Sequence, residues 1–334
     1  DNPDDVAHLG KEVSLKIYDR YEIAGGKSVY QIVQQPLFLK REGEERNNRG
    51  DLTLLINGMP VIHIELKRDK ALMNAALEQI RRYKKQNVFT GLFSLVQVFV
   101  TMTPEETKYF ANPGPDEDLN PNYFFQWADF NNEPITKWDK VIQALLVIPM
   151  AHQLIGFYTV ADSADGALKV LRSYQYHAVN AITDAVTEKI WNLKTPRGRY
   201  IWHTTGSGKT MTSFKAAQLI ASSGNADKVI FLTDRIELGT QSLDEYKGFA
   251  EENESVQATE NTNILISKLK SPNPANTMIV TSIQKMSRIH DGQDGLKTSD
   301  IARINRKRLV FIVDEAHRST FGVMLSTITQ TFQN

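Results

Sequence analysis

The chain has 334 residues, 41% hydrophobic and 23% charged, which excludes a disordered or low-complexity protein and predicts two domains of ordinary size. Its 39 basic residues are matched by 39 acidic residues, so any site for a polyanion must be local. The absence of cysteine excludes disulfides and thiolate metal sites and favours a reducing cytoplasm.

No apolar run approaches the roughly 20 residues that a membrane helix needs, so no membrane association is expected. The chain opens at Asp1 without a methionine and stops at Asn334 within an unfinished element. We therefore expect it to be part of a longer protein.

The first half of the sequence predicts a mixed α/β unit. Strands are expected at residues 52–56, 61–66 and 95–101, with helices at 72–85 and near 138–148. Proline and glycine in residues 112–121 predict a surface loop, and the small polar residues 160–167 predict a connection between domains. We expect one domain over residues 1–160 and another over 161–334.

Asn57-Gly58 between the first two strands is a strong signal for a hairpin. A two-residue turn would set Asp51 opposite Ile64 and mix polar with apolar side chains. A three-residue connection over 57–59 pairs Asp51 with Glu65 and Leu52 with Ile64, so apolar meets apolar. We predict the second register.

In that register three charged side chains converge on one sheet face: Asp51, Glu65 and Lys67. The two carboxylates are the ligands Mg²⁺ prefers, assisted by the Leu66 carbonyl. Lys67 would then position water or stabilise the charge on the pentavalent phosphate. The alternative is a solvated strand face with a cross-strand charge cluster.

The predicted helix that follows places Gln79 and Tyr83 one turn apart. Residues 61–90 contain seven basic and three acidic side chains, a local excess that favours a surface facing phosphates. The alternative is a solvated helix face that binds nothing.

The second half alternates strands and helices, the pattern of a parallel α/β sheet. Strands are expected at 200–203, 228–233, 278–282 and 309–313, a helix at 211–221, and loops at 251–263, 271–276 and 291–300.

A glycine loop stands between the strand at 200–203 and the helix at 211–221. Such a loop cradles phosphates with its backbone N–H groups, and the next two residues reach the β- and γ-phosphates and hold Mg²⁺. This pattern predicts an ATP–Mg²⁺ site, although His203 stands where glycine is usual, and a plain Gly/Ser turn is the alternative. The expected binding residues are Thr205, Gly206, Ser207, Gly208, Lys209 and Thr210.

Two acids follow the apolar strand 309–313. Asp314 is expected to hold the metal ion and Glu315 to orient the attacking water. Their alternative role is to cap the next helix.

GSGKT at 206–210 and DEAH at 314–317 make residues 170–334 resemble superfamily 2 helicases and translocases. That resemblance implies a RecA-like domain in which Arg172 and Gln175 read adenine. It also implies DNA contacts at 233–235 and 281–285, where ordinary polar strand ends are the alternative. The family's arginine finger would lie after Asn334, so the resemblance implies slow ATP turnover by this chain alone.

NRGDLTLLINGMPVIHIELKR followed by LEQIRRY resembles the PD-(D/E)xK nuclease domain of the restriction subunit of type I restriction enzymes, with Gly50 in place of proline. The order of nuclease before translocase is that of the family. The sequence leaves open whether Glu22, Glu42, Glu44 or Glu45 is a third metal ligand.

The resemblance implies an ATP-driven translocase on double-stranded DNA that is also a Mg²⁺-dependent endonuclease. It would cut away from its recognition site, in partnership with methyltransferase and specificity subunits. A stand-alone helicase–nuclease of DNA repair and a noncatalytic ATP-switched scaffold are the alternatives.

Overall fold

The computed structural model describes Asp19 and residues 26–39, 47–70, 73–114, 118–189, 191, 198–233, 236–250, 256–259, 261–290, 298–314, 316 and 321–332. They form two compact units. Unit 1 holds the described residues up to Ala128, with Glu133–Thr159 and Leu168–Val170; unit 2 holds Asp129–Asn132, Val160–Ala167 and those from Leu171 onward. No described helix is both long and apolar enough for a bilayer.

Unit 1 is a five-stranded mixed sheet with the order β1-β4-β5-β6-β7. Only β5 and β6 are parallel, and a helix makes the crossover that parallel strands require. Its elements are β1 (Tyr30–Gln34), β2 (Leu37–Phe38), β3 (Asn48–Arg49), β4 (Leu52–Ile56), β5 (Met59–Leu66), α1 (Met73–Lys85), β6 (Val98–Met102), β7 (Thr107–Ala111), α2 (Trp138–Val141) and α3 (Met150–Gly156).

The apolar stripe of α1 covers one face of this sheet. Leu77, Ile80 and Tyr83 of the helix pack with Phe99 and Phe110 of the strands in a buried cluster. The residues of β5 between Met59 and Leu66 are buried. His63 and Glu65 on this face are therefore not solvated, whereas the side chains of Lys67 and Asp51 remain 20% and 36% exposed.

The β4–β5 hairpin reaches the predicted register by an unexpected route. Asn57 and Gly58, with φ values of 50° and 80°, form a two-residue turn, so the predicted three-residue connection is wrong. Asn-Gly favours this turn because it requires positive φ at both positions. A β-bulge that leaves Val61 unpaired then sets Leu52 opposite Ile64, as predicted.

Several other elements of the first half differ from prediction, and strands β1, β2, β3 and β7 were not predicted. The strand at 95–101 begins only at Val98, because Gly91–Leu95 forms a 3₁₀ turn. The helix near 138–148 is divided into α2 and a π-helical turn at Ile142–Leu146, and we missed α3.

The predicted connection at 160–167 is a hairpin of β8 (Thr159–Asp162) and β9 (Ala167–Val170). Asp162 and Asp165 accept hydrogen bonds from the backbone N–H groups of Ala164 and Ala167, at 3.0 and 3.1 Å. These local turns join two strands too short to show an alternating pattern.

Unit 2 contains a parallel four-stranded sheet with the order β11-β12-β10-β13. The strands predicted at 228–233, 278–282 and 309–313 are confirmed. The elements are α4 (Ser173–Thr187), α5 (Lys209–Ser223), β10 (Lys228–Thr233), α6 (Ile236–Phe249), β11 (Val256–Ala258), α7 (Thr262–Lys270), β12 (Met278–Ser282), α8 (Ile283–Ser287), α9 (Thr298–Ile304), β13 (Leu309–Val313) and α10 (Phe321–Thr331).

Three predictions for the second half are wrong, and one of them is the loop at 291–300, within which α9 begins. The loop expected at 251–263 contains β11, which pairs with the distant β12, and the start of α7. Residues 200–203 form no strand, and the side chains of Tyr200 and Trp202 are 88% and 89% exposed. A strand needs a paired backbone, and β13, last in the described sheet, pairs with β10 alone.

Lys228 is a buried cation at the start of β10. Its Nζ donates to the carbonyl of Asn276 at 2.6 Å. Burial, assisted by the nearby Lys307 ammonium, lowers the pKa of Lys228 from 10.5 to about 8. The folded chain therefore releases this proton more readily than the unfolded chain does.

We expect stability to rise between pH 8 and 10.5, where the unfolded Lys228 is protonated and the folded one is neutral. The substitution Lys228→Met should flatten this rise, measured as the melting temperature across that range. Lys247→Met, at an exposed lysine of α6, is the matched control and should keep it. An unchanged slope in Lys228→Met would contradict the assignment.

Candidate functional site

Three charged side chains of unit 1 lie together where β4 begins and β5 ends. Asp51 immediately precedes β4, and Lys67 immediately follows β5. The Nζ of Lys67 is 4.0 Å from Oδ2 of Asp51 and 3.8 Å from Oε2 of Glu65. The two carboxylates therefore share one side of the sheet, with a cation between them.

Backbone hydrogen bonds hold Asp51 and Lys67 in place. The N–H of Leu66 donates to Asp51 Oδ2 at 2.7 Å, and the N–H of Lys67 donates to the Met102 carbonyl at 2.9 Å. The Lys67 ammonium also donates to the Leu66 carbonyl at 3.1 Å, so the carbonyl expected to assist a metal ion accepts from Lys67 here.

Gln79 and Tyr83, which lie one turn apart on α1, continue a chain of hydrogen bonds that begins at Lys67. The Lys67 ammonium donates to Gln79 Oε1 at 2.9 Å, and Gln79 Nε2 donates to the Tyr83 hydroxyl at 2.7 Å. That hydroxyl donates to the carbonyl of Arg49. Burial, with the nearby Glu65 carboxylate, raises the pKa of Tyr83 and keeps it a donor.

Glu65 is a fully buried carboxylate with one oxygen unsatisfied. Its Oε1 accepts a hydrogen bond from His63 Nε2 at 2.9 Å, whereas Oε2 accepts none from the described residues. Burial raises the pKa of Glu65 against the lowering effect of His63, and the Asp51 carboxylate raises it further. An orphaned buried oxygen beside a second carboxylate is the environment that a divalent cation stabilises.

The described part of the chain holds no cluster of three or more His, Asp or Glu side chains arranged for a metal ion. The carboxylates of Asp51 and Glu65 are the kind of ligand that Mg²⁺ takes, commonly one or two together with several waters. The four glutamates considered as a third ligand lie outside the described residues: Glu22, Glu42, Glu44 and Glu45.

His63 and Thr53 are neighbours of this site to which sequence reasoning gave no role. His63 Nδ1 lies 3.0 Å from Thr53 Oγ1 across the hairpin, and both side chains are buried. Alternation already placed His63 on the face of Glu65. The missing signal was burial of that face.

Gly50 makes room for the His63 ring. A Cβ at position 50 would lie 2.5 Å from His63 Cε1 and 3.1 Å from the Phe38 ring. This contact explains why the residue before Asp51 has no side chain.

In unit 2 the glycine loop leads directly into α5, which begins at Lys209, two residues earlier than predicted. Gly206 and Gly208 have φ values of 75° and 78°, a conformation that glycine adopts without strain. Ser207 Oγ donates to the Thr204 carbonyl at 2.7 Å and lies 2.9 Å from His203 Nδ1. Thr205 is exposed in the preceding turn; Lys209 and Thr210 are half-buried in the first turn of α5.

Of the two residues predicted to read adenine, Gln175 contacts this loop directly and Arg172 is linked to it through Tyr174. Gln175 is buried; its Oε1 accepts from the backbone N–H of Arg172 at 2.9 Å, and its Nε2 donates to the Gly208 carbonyl at 3.1 Å. Arg172 donates to the Tyr174 hydroxyl, which donates to the Ser207 carbonyl at 2.8 Å. Their adenine-reading role stays a prediction.

Asp314 directly follows β13, and its N–H donates to the Leu232 carbonyl at 3.0 Å. Sequence reasoning missed Tyr246, whose hydroxyl donates to Ser213 on α5 at 2.7 Å. Burial raises the pKa of Tyr246, and the Asp314 charge raises it further, so Asp314 acts electrostatically on the region behind the loop. Glu315 lies outside the described residues.

Two family models match the chain. Residues 174–334 match the SWI2/SNF2 ATPase, and residues 7–118 match the type I restriction enzyme R protein N terminus. These matches define the class: an SNF2-type ATPase region that follows an R-protein N-terminal region. The glycine loop and Asp314 fall in the first match, and the carboxylate pair in the second.

Curated relatives give the family. The endonuclease subunit of the type I restriction enzyme SauCOLORF180P of Staphylococcus aureus strain COL is 38% identical over 286 residues, covering 86% of this chain and 29% of the relative. The SsaAORF53P subunit of Staphylococcus saprophyticus is 39% identical over 287 residues, with the same coverage.

A third relative, from Mycoplasma pneumoniae, is the C-terminal part of MpnIIP, a putative endonuclease subunit of a type I restriction enzyme. It is 42% identical over 212 residues, which are 62% of this chain and 100% of the relative. The chain belongs to the family of type I restriction enzyme endonuclease subunits. It spans 29% of the length of the staphylococcal relatives.

The substitution Gly50→Ala should destabilise unit 1 by about 1–3 kcal/mol, because the added methyl group must displace the buried His63 ring. Urea unfolding followed by intrinsic fluorescence measures it. Gly198→Ala is the matched control, since nothing lies within 4 Å of a Cβ there, and should change stability by less than about 0.5 kcal/mol. Equal midpoints for the two variants would refute the packing role.

Proposed function

We propose that this chain carries the nuclease and motor regions of a type I restriction endonuclease subunit. It translocates double-stranded DNA with ATP and cuts it, with Mg²⁺, away from the recognition site. The observation that carries the proposal is the convergence of Asp51, Glu65 and Lys67, with Lys67 within 4.0 Å of both acids. Family membership supports the same activity.

For the nuclease we propose a PD-(D/E)xK arrangement. Asp51 and Glu65 would hold Mg²⁺, which, when bound, activates water and neutralises charge on the scissile phosphate. Lys67 places a positive charge beside the same oxygens and orients the attacking water or the phosphate. Gln79 restrains Lys67, and Tyr83 fixes the Gln79 amide by accepting its N–H.

For the motor we propose that the loop from Thr205 to Thr210 binds the phosphates of ATP. Lys209 supplies charge to the β- and γ-phosphates, and Thr210 and Asp314 would hold Mg²⁺. Gln175 supports the loop directly, Arg172 supports it through Tyr174, and both would read the adenine base. Glu315 is the residue we expect to orient the attacking water.

The expected partners follow from the DNA substrate and the family. Helix α1 ends in Arg82, Lys84 and Lys85, a local positive charge suited to phosphates. We propose that methyltransferase and specificity subunits supply target recognition and that the assembly acts on DNA in the prokaryotic cytoplasm.

Replacing Lys67 by Ala in the full-length subunit, assembled with its partners, should lower DNA cutting by at least roughly 10²-fold. ATP hydrolysis should stay at the wild-type rate, because Lys67 belongs to unit 1 and the glycine loop to unit 2. Agarose-gel cleavage and a phosphate-release assay measure the two activities.

Lys137→Ala, at an exposed lysine of the same unit, is the control and should retain both activities. Cutting by Lys67→Ala at the control rate would remove the nuclease assignment.

The substitution Gly208→Ala should weaken ATP binding roughly tenfold more than Gly206→Ala does. Both residues have positive φ, but a Cβ at position 208 would also lie 2.4 Å from Gln175 Nε2, whereas nothing lies within 4 Å at position 206. Titration with a fluorescent ATP analogue and Mg²⁺ gives the two dissociation constants. Equal weakening would show that Gln175 does not support the loop.

A further inference from the structure

His63 is a buried polar side chain for which the proposed reaction has no role so far. It is fully inaccessible to water, yet each ring nitrogen has a partner: Nε2 lies 2.9 Å from Glu65 Oε1 and Nδ1 lies 3.0 Å from Thr53 Oγ1. An apolar side chain would suit such a core better, because burying a polar group is unfavourable unless its hydrogen bonds are made. The hydrogen bonds of the imidazole therefore account for a histidine at this buried position.

The hydrogen bonds between Thr53 and Glu65 run through the His63 ring. A carboxylate that binds a metal ion is ionised and only accepts, so Nε2 of His63 carries the hydrogen that Glu65 Oε1 receives. Nδ1 lies within hydrogen-bond distance of the Thr53 hydroxyl, which can donate to it or accept from it. In either case the donor that restrains Glu65 is Nε2.

Aromatic neighbours hold the imidazole ring at a set angle. The ring centroids of Phe38, Phe89 and Phe99 lie 5.8, 5.4 and 6.4 Å from that of His63 in edge-to-face packing. The backbone of Gly50 also lies against the ring, since a Cβ there would be 2.5 Å from His63 Cε1. With the ring confined, its Nε2 points at one place, and Glu65 Oε1 occupies it.

As a consequence, one oxygen of the Glu65 carboxylate is restrained and the other accepts no hydrogen bond from the described residues. Oε1 is held by His63, and Oε2 lies 3.8 Å from Lys67 Nζ without a hydrogen bond from the described residues. Rotation of the carboxylate plane would turn both oxygens away from these positions. The hydrogen bond from His63 opposes that rotation.

We propose that His63 is a positioning residue of the metal site: with Thr53 behind it, it holds Glu65 so that Oε2 is presented to a divalent cation shared with Asp51. The inference rests on the proposed function, because it takes these two carboxylates as the metal ligands. It adds a supporting shell built from β4 and β5 of the same hairpin. Partners of this kind typically change metal affinity by about 10–100-fold.

The test measures metal binding directly. Isothermal titration of Mn²⁺ into the 334-residue chain, without nucleotide or DNA, gives the affinity, and the melting temperature reports folding. His63→Phe keeps an aromatic ring in the cage but removes both nitrogens, and should weaken Mn²⁺ binding about 10–100-fold. His63→Gln restores an N–H donor near the position of Nε2 and should recover most of that loss.

Asp51→Asn separates failure of this inference from failure of the proposed function. If Asp51→Asn binds Mn²⁺ like the wild type, the metal site itself is wrong. If Asp51→Asn loses binding but His63→Phe retains wild-type affinity, only the role of His63 is overturned. Equal loss in His63→Phe and His63→Gln would also overturn it, because the donor would then be irrelevant.

Thr53→Val covers the case in which His63→Phe does not fold. This nearly isosteric change removes only the hydroxyl that supports Nδ1, so Mn²⁺ binding should weaken several-fold in a chain with the wild-type fold. Wild-type affinity in a folded Thr53→Val chain would overturn the proposed relay.

Discussion

The pairing of β4 with β5 is the constraint on which the carboxylate site depends. Side chains alternate between the two faces of a strand, so a slip of one residue would carry Asp51 to the face opposite Glu65. A two-residue turn alone would produce that slip. The bulge at Val61 removes it, and Leu52 consequently lies opposite Ile64. One unpaired residue in β5 thus decides whether the acids meet.

Burial strengthens the electrostatic interactions among the charged side chains of this site. Helix α1 lies over the face that carries His63 and Glu65 and excludes water from both side chains. Charges in such surroundings are weakly screened, so the attraction between Lys67 and the two acids, and their mutual repulsion, exceed what an exposed strand would give. The same helix carries Gln79, which accepts a hydrogen bond from the Lys67 ammonium. Helix α1 therefore both excludes water from the site and orients Lys67.

Local patterns predicted the parts of the fold that local chemistry decides. Asn57-Gly58 identified the hairpin, periodicity identified α1, and glycine spacing identified the loop before α5. The predicted turn length was wrong because a β-bulge compensates for the shorter turn. The alternating pattern of β5 does not indicate which residue lacks a partner on β4. Strand β11 and the loose segment at 200–203 were misjudged because pairing depends on distant strands. His63 was missed because its role appears only when the face it shares with Glu65 is known to be covered.

Gly50 has a consequence that reaches across the hairpin. Its backbone passes so close to the imidazole that any side chain at position 50 would occupy the volume of the ring. A side chain at position 50 is therefore accommodated only if the His63 ring moves or a smaller residue stands at position 63. Enlarging position 50 alone therefore produces a collision, and shortening the side chain at position 63 alone leaves a void.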